Sequence, residues 1–204
     1  MKTASIAACA LALIAAGCAT TTDQDVADQA VAVMKTSFNE RGQAKLDRID
    51  QDESQKTCSI PASATLPKEV AARIEEINFA TIKYPADGKL LGNWREGEKV
   101  AQSGIGKQYS DDPKQPSGAN CYACHQVTKE EISFGTIGPS LYNFGKMRGS
   151  SEAMQRYAYG KIYNSQAYSA CSNMPRFGHN GILTEQQIKD VTALLMDPDS
   201  PVNK

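Results

Sequence analysis

The chain has 204 residues, with 22 basic against 23 acidic side chains and a formal net charge of −1. That balance supplies neither the basic footprint of a nucleic-acid binder nor a polybasic membrane patch. No run reaches the roughly 18 consecutive apolar residues of a membrane-spanning helix, and the length suits one compact domain with extensions.

In chain order, Met1–Lys2 precede an eleven-residue apolar stretch, 6–16, of the length expected for the core of an export signal. It leads into Ala15–Ala16–Gly17–Cys18, which resembles a bacterial lipobox with Cys18 as the lipidated first mature residue. Ordinary cleavage after a small residue, leaving Cys18 without lipid, is the alternative. Both readings remove 1–17 and deliver the chain to the periplasm, tethered to a membrane only through lipid on Cys18. That compartment permits disulfides. Residues 18–57 read as a polar tether. Within it, 26–38 has Val26, Ala30, Val33 and Met34 near helical spacing, and 40–56 is charged, Gln-rich and at most marginally helical. Residues 58–92 read as an N-terminal extension packed on a domain formed by 93–204.

Pro67 opens a helix in which Val70, Ile74 and Ile77 form an apolar stripe, and Tyr84–Pro85–Ala86–Asp87–Gly88 supplies turn chemistry after it. A further helix is expected over 96–102, and 110–119, with two prolines and a glycine, must be loop. The span 149–163 reads as helix, with Ser150 or Ser151 as cap and Met154, Tyr157, Ala158 and Ile162 on one face. Thr184–Glu185–Gln186–Gln187 is a capping box before the stripe Ile188, Val191, Leu194 and Leu195, and Pro198 stops that helix. Nothing alternates over strand lengths, so the expected architecture is all-α with long loops.

Cys121–Tyr122–Ala123–Cys124–His125 is a C-x-x-C-H sequence, the attachment signature of haem c. Two thiols on one turn can each add to a porphyrin vinyl group, and the next histidine reaches the iron. A thioredoxin-like pair would need a βαβ context, and a zinc site would need two more ligands at suitable spacing. The reading is one covalent haem c. Met174 is the leading candidate for the second axial ligand, in a loop 49 residues after His125 and followed by Pro175. Met154 and Met196 fall in helical stripes, while Met147, His179 and an open or water-bound position remain alternatives. Pro139, in Gly138–Pro139–Ser140–Leu141, offers a carbonyl to the Nδ1–H of His125.

This order of motifs, C-x-x-C-H, then G-P-x-L, then M-P before a C-terminal helix, resembles class I c-type cytochromes. With Cys121 and Cys124 assigned to haem and Cys18 to lipid, Cys58 and Cys171 remain. A Cys58–Cys171 disulfide is the default in an exported chain; two buried thiols or intermolecular bridges are the alternatives. The segments 173–185 and 195–204 further resemble SoxX, the monohaem subunit of SoxAX thiosulfate-oxidising complexes. The resemblance implies a division of labour. A SoxA-type partner holds the sulfur-bearing cysteine, a SoxYZ-type carrier takes the product, and this chain passes electrons to a small cytochrome c without being catalytic alone. A freestanding carrier feeding a terminal oxidase is the competing expectation. In either case an apolar docking patch is expected to include Tyr122, Pro175 and Phe177.

Overall fold

A computed structural model describes residues 22–59 and 65–204. The export signal and Cys18 lie outside the described residues. The chain divides into two units, 1–39 and 40–204.

In the first unit, α1 (Asp23–Ser37) starts earlier than its apolar spacing suggests. Thr22 and Asp25 form a capping box that adds a turn before Val26. Val26, Val33 and Met34 are exposed on this helix.

The second unit is helical, and among the described residues its only extended pairing is a single bridge between Arg41 and Ala44. Its helices are α2 (Glu53–Cys58), α3 (Lys68–Phe79), α4 (Trp94–Gln102), α5 (Phe144–Arg148), α6 (Glu152–Tyr163) and α7 (Glu185–Met196), with short 3₁₀ turns between them. The architecture is all-α.

At the centre, α4 crosses α7. The contact is close because Gly97 carries no side chain. A Cβ there would overlap the Asp190 carbonyl and come within 3.0 Å of the Val191 amide nitrogen. Asp190 is buried, and its carboxylate accepts the Asn93 N–H at 2.7 Å and a Gln186 amide N–H at 2.8 Å, so an acidic group caps the start of α4. Asn93 itself accepts the Arg95 N–H at 3.0 Å.

The capping box of α7 forms with both reciprocal bonds, Thr184 to the Gln187 N–H and Gln187 back to Thr184. Its burial exceeds the expected stripe: every residue from Ile188 to Met196 is buried, including Lys189, Asp190 and Thr192. Thr192 returns its hydroxyl to the Ile188 carbonyl at 2.7 Å, which satisfies it without an outside partner. α6 packs on α7, with Ala158, Tyr159 and Ile162 entering the same core.

The helix expected over 149–163 forms as α6 with Ser151 as its cap, while Gly149, at φ +77, ends the separate short helix α5 just before it, which the sequence pattern did not reveal. One reading of the sequence changes. The tether expected over 18–57 is shorter, since residues from 40 onward belong to the second unit. The Gln43 amide donates to the Gln108 and Asp111 carbonyls at 2.9 and 3.1 Å, and Arg48 donates to the Lys107 carbonyl. Ser54 on α2 is buried, and its hydroxyl accepts from Asn78 on α3 at 2.8 Å. This segment docks through polar groups, which an apolar pattern cannot reveal.

Candidate haem-attachment site

The approach to the C-x-x-C-H turn is fastened to the end of α4. Ala119 donates to the Val100 carbonyl at 2.9 Å, Asn120 to Ser103 at 2.9 Å, and Gly118 to Ile105 at 2.7 Å. Asn120 then takes a left-handed conformation, φ 45 and ψ 51, and turns the chain into a 3₁₀ turn, Cys121–Ala123. Three residues per turn place Cys121 and Cys124 on one side and rotate Tyr122 away from them.

That geometry overturns part of the expected docking patch. Tyr122 is buried at 9% exposure and Phe177 at 7%; of the three residues named, only Pro175 is exposed. Burial pushes the Tyr122 phenol above its ordinary range, with Thr128 and Gln102 acting against it. Phe177 is turned inward where its carbonyl accepts from Ile182 and Leu183, at 2.8 and 3.1 Å, closing the loop on itself. The exposed apolar residues near the motif are instead Ile132, Phe134 and Ile137, in the stretch between His125 and Pro139.

That stretch folds back onto the turn. Gly135 donates to the Tyr122 carbonyl at 2.8 Å and Gly138 to Cys124 at 2.9 Å. The return brings the Pro139 carbonyl to 2.7 Å from His125 Nδ1. A carbonyl only accepts, so Nδ1 carries the proton and the Nε2 lone pair is left for a metal. Gly138 permits this approach, because a Cβ there would overlap the imidazole ring. The sequence pointed to Pro139; the reason for its neighbouring glycine emerges only from the packing.

Cys121 and Cys124 are unpaired thiols on one turn, a donor set that fits two thioether bonds to haem c. The competing chemistries fit less well. Burial pushes the Cys121 thiol up to about 12, whereas a thioredoxin-type nucleophile needs a lowered value. Among the described residues, no cluster of three or more His, Cys, Asp or Glu side chains could hold a metal ion, as a zinc site would require.

Met174 is half-buried and packs against the core in the loop between α6 and α7. Its backbone is held at both ends: its N–H donates to Ser172 Oγ at 3.2 Å, and its carbonyl accepts the Ser165 hydroxyl. Among the alternatives, Met147 is 78% exposed and Met196 is 2% exposed within α7. His179 is exposed, and partial burial and the nearby Arg176 push its imidazole below its ordinary range. Cys58 and Cys171 are joined in a disulfide with Cα atoms 5.3 Å apart. Sequence reasoning missed Ser165, which meets a carbonyl nine residues on, and Asp52 and Arg176, which meet each other across 124 residues.

An all-α domain with this attachment turn ahead of its closing helix defines a cytochrome c domain, and the cytochrome c family matches residues 110–197. A covalently bound haem c and haem-based electron transfer are what that family implies. Over 158 residues, 76% of the chain, the sequence is 43% identical to an uncharacterized lipoprotein of Aquifex aeolicus (strain VF5), covering 73% of that protein. The chain belongs to the same family as that lipoprotein.

Proposed function

We propose that the chain is a periplasmic monohaem electron-transfer subunit, tethered by lipid on Cys18, that serves a SoxAX-type complex coupling thiosulfate to a carrier-protein cysteine. The observation that carries the haem assignment is the 2.7 Å contact between His125 Nδ1 and the Pro139 carbonyl, which puts the proton on Nδ1 and leaves the Nε2 lone pair for a metal. Cys121 and Cys124 would hold the porphyrin, with His125 and Met174 as axial ligands. When bound, haem c supplies a one-electron couple. The chain's own residues fix the histidine tautomer through Pro139, hold the Met174 backbone through Ser165 and Ser172, and anchor the attachment turn in the core through the buried Tyr122 and Val127.

The division of labour is supported by the thiols. Cys58 and Cys171 are bonded to each other, and haem attachment would consume Cys121 and Cys124. No described cysteine is then left to carry a sulfur intermediate, so that role falls to a SoxA-type partner. The product would leave on a SoxYZ-type carrier and the electrons on a small cytochrome c. The test is to mix the purified haem-loaded chain with thiosulfate and carrier, with and without the partner, and follow haem reduction. Reduction that requires the partner is expected. Rapid reduction of the lone chain with product on the carrier would overturn this assignment, and no response to the partner would leave the freestanding carrier.

A further inference from the structure

Elements that precede the haem motif grip the Met174 loop on both sides. Before Met174, Cys171 is bonded to Cys58 at the end of α2, and the neighbouring Ala170 N–H donates to Glu75 Oε1 on α3 at 3.1 Å. After it, Arg176 is buried at 6% exposure, and its Nη2 donates to Asp52 Oδ2 at 2.6 Å. The other guanidinium nitrogen, Nη1, lies 3.4 Å from Asn78 Oδ1. Asn78 is itself buried at 2% exposure. It accepts from Asn164 Nδ2 at 2.9 Å and donates to Ser54 Oγ at 2.8 Å. A charged fork buried this deeply needs a fixed anion and a fixed acceptor, because an unpaired guanidinium there would bear its full desolvation cost.

Asp52 serves two partners at once. Its Oδ1 accepts the Gln55 N–H at 2.8 Å and caps α2, which fixes the carboxylate, while Oδ2 meets Arg176. The rigid end of α2 thus reaches across 124 residues of sequence to a point two residues beyond Met174.

We infer that Asp52 and Arg176 are positioning residues for the axial methionine: the Asp52–Arg176–Asn78 clamp and the Cys58–Cys171 bond hold the Met174 loop in its ligating conformation and oppose its displacement. This rests on the reading of Met174 as the iron ligand. Neither residue is assigned as an iron ligand; both act through the loop that carries Met174.

The test uses the full-length haem-loaded protein and added imidazole as the competing ligand. Loss of the near-infrared sulfur-to-iron band reports methionine displacement. In Asp52→Asn the apparent Kd for imidazole should fall about tenfold, which corresponds to ~1.4 kcal/mol of loop restraint. Arg176→Lys, which keeps the charge and loses the fork, should fall between Asp52→Asn and the unaltered protein. Arg73→Gln is the control, since it removes an exposed α3–α2 ion pair with Glu53 that does not reach the loop. It should leave the imidazole Kd unchanged at any cost in melting temperature. An unchanged Kd in Asp52→Asn, or an equal fall in Arg73→Gln, would overturn the clamp. Met174→Ala separates the two readings: if it keeps the band, the ligand assignment falls and the clamp's role with it.

Discussion

The crossing of α4 and α7 has no room for a methyl group, and Gly97→Ala tests it. In an exposed helix interior this change adds about 1 kcal/mol of stability, because glycine forfeits more backbone entropy than alanine. Here the new Cβ would overlap the Asp190 carbonyl, and the Val191 nitrogen lies 3.0 Å from the same point. Both obstacles are backbone, so no side chain can rotate aside and the helices must separate. Overpacking of this kind costs about 1–3 kcal/mol. With rigid backbone on the far side the upper end applies, leaving a net loss of about 2 kcal/mol. For a unit of this size that lowers Tm by about 4–8 °C. Guanidinium unfolding followed by far-ultraviolet circular dichroism should show a lower midpoint at unchanged slope. Glu96→Ala, on the exposed side of the same helix, should change the unfolding free energy by less than about 0.5 kcal/mol. If Gly97→Ala is as stable as the unaltered chain, the close crossing does not govern stability and the argument fails.

Gly138→Ala should force the imidazole of His125 off the Pro139 carbonyl, so the haem-loaded protein should show a high-spin fraction in its electron paramagnetic resonance spectrum; an unaltered low-spin spectrum would contradict the contact. Replacing Cys58 and Cys171 together by serine opens a loop spanning 113 residues, for which the chain-entropy model gives about 5 kcal/mol as an upper value, measurable by denaturant unfolding. Burial alone would raise the Asp52 carboxyl, but the Gln55 N–H and Arg176 outweigh it and hold the group below its usual range. A lowered folded-state value contributes stability that is fully present above the unfolded pKa, about 3.9, and is lost as pH falls through the folded value. The stability gap between the unaltered chain and Asp52→Asn should therefore stay constant from pH 7 to about 5 and close below about pH 4; a gap that widened on acidification would reverse the sign of the argument.

What the sequence revealed was local chemistry. The C-x-x-C-H spacing, the Thr184 capping box and the Pro139 carbonyl each depend on residues a few positions apart or on one loop return. What it hid was contact between distant polar groups. Residues 40–57 looked like tether because they lack an apolar stripe, yet Gln43, Asp52 and Ser54 dock through hydrogen bonds to residues 24 to 124 positions farther on. Tyr122 looked like a surface aromatic because its neighbours serve the haem. Only the threefold repeat of a 3₁₀ turn shows that a residue between two cysteines on one side must face the other. Gly97 carried no signal, and Gly138 was legible only as part of the G-P-x-L motif; the reason each must lack a side chain lies in an atom of another segment.

The disulfide encloses the haem motif within its loop, and this has a consequence for the timing of maturation. Exported N-terminus first, as proposed above, the chain would present Cys58 after Cys18, then Cys121 and Cys124, and Cys171 last. Bonds made in order of arrival would join Cys58 to Cys121, or Cys121 to Cys124, and either would consume a thiol the porphyrin needs. Reaching the Cys58–Cys171 pairing from such a start requires thiol–disulfide exchange, which proceeds through thiolate. Once the domain closes, burial pushes the Cys121 thiol up and disfavours that thiolate. Folding thus ends the period in which wrong pairs can be edited, and sets aside the two sulfurs meant for the cofactor from the two meant for the clamp.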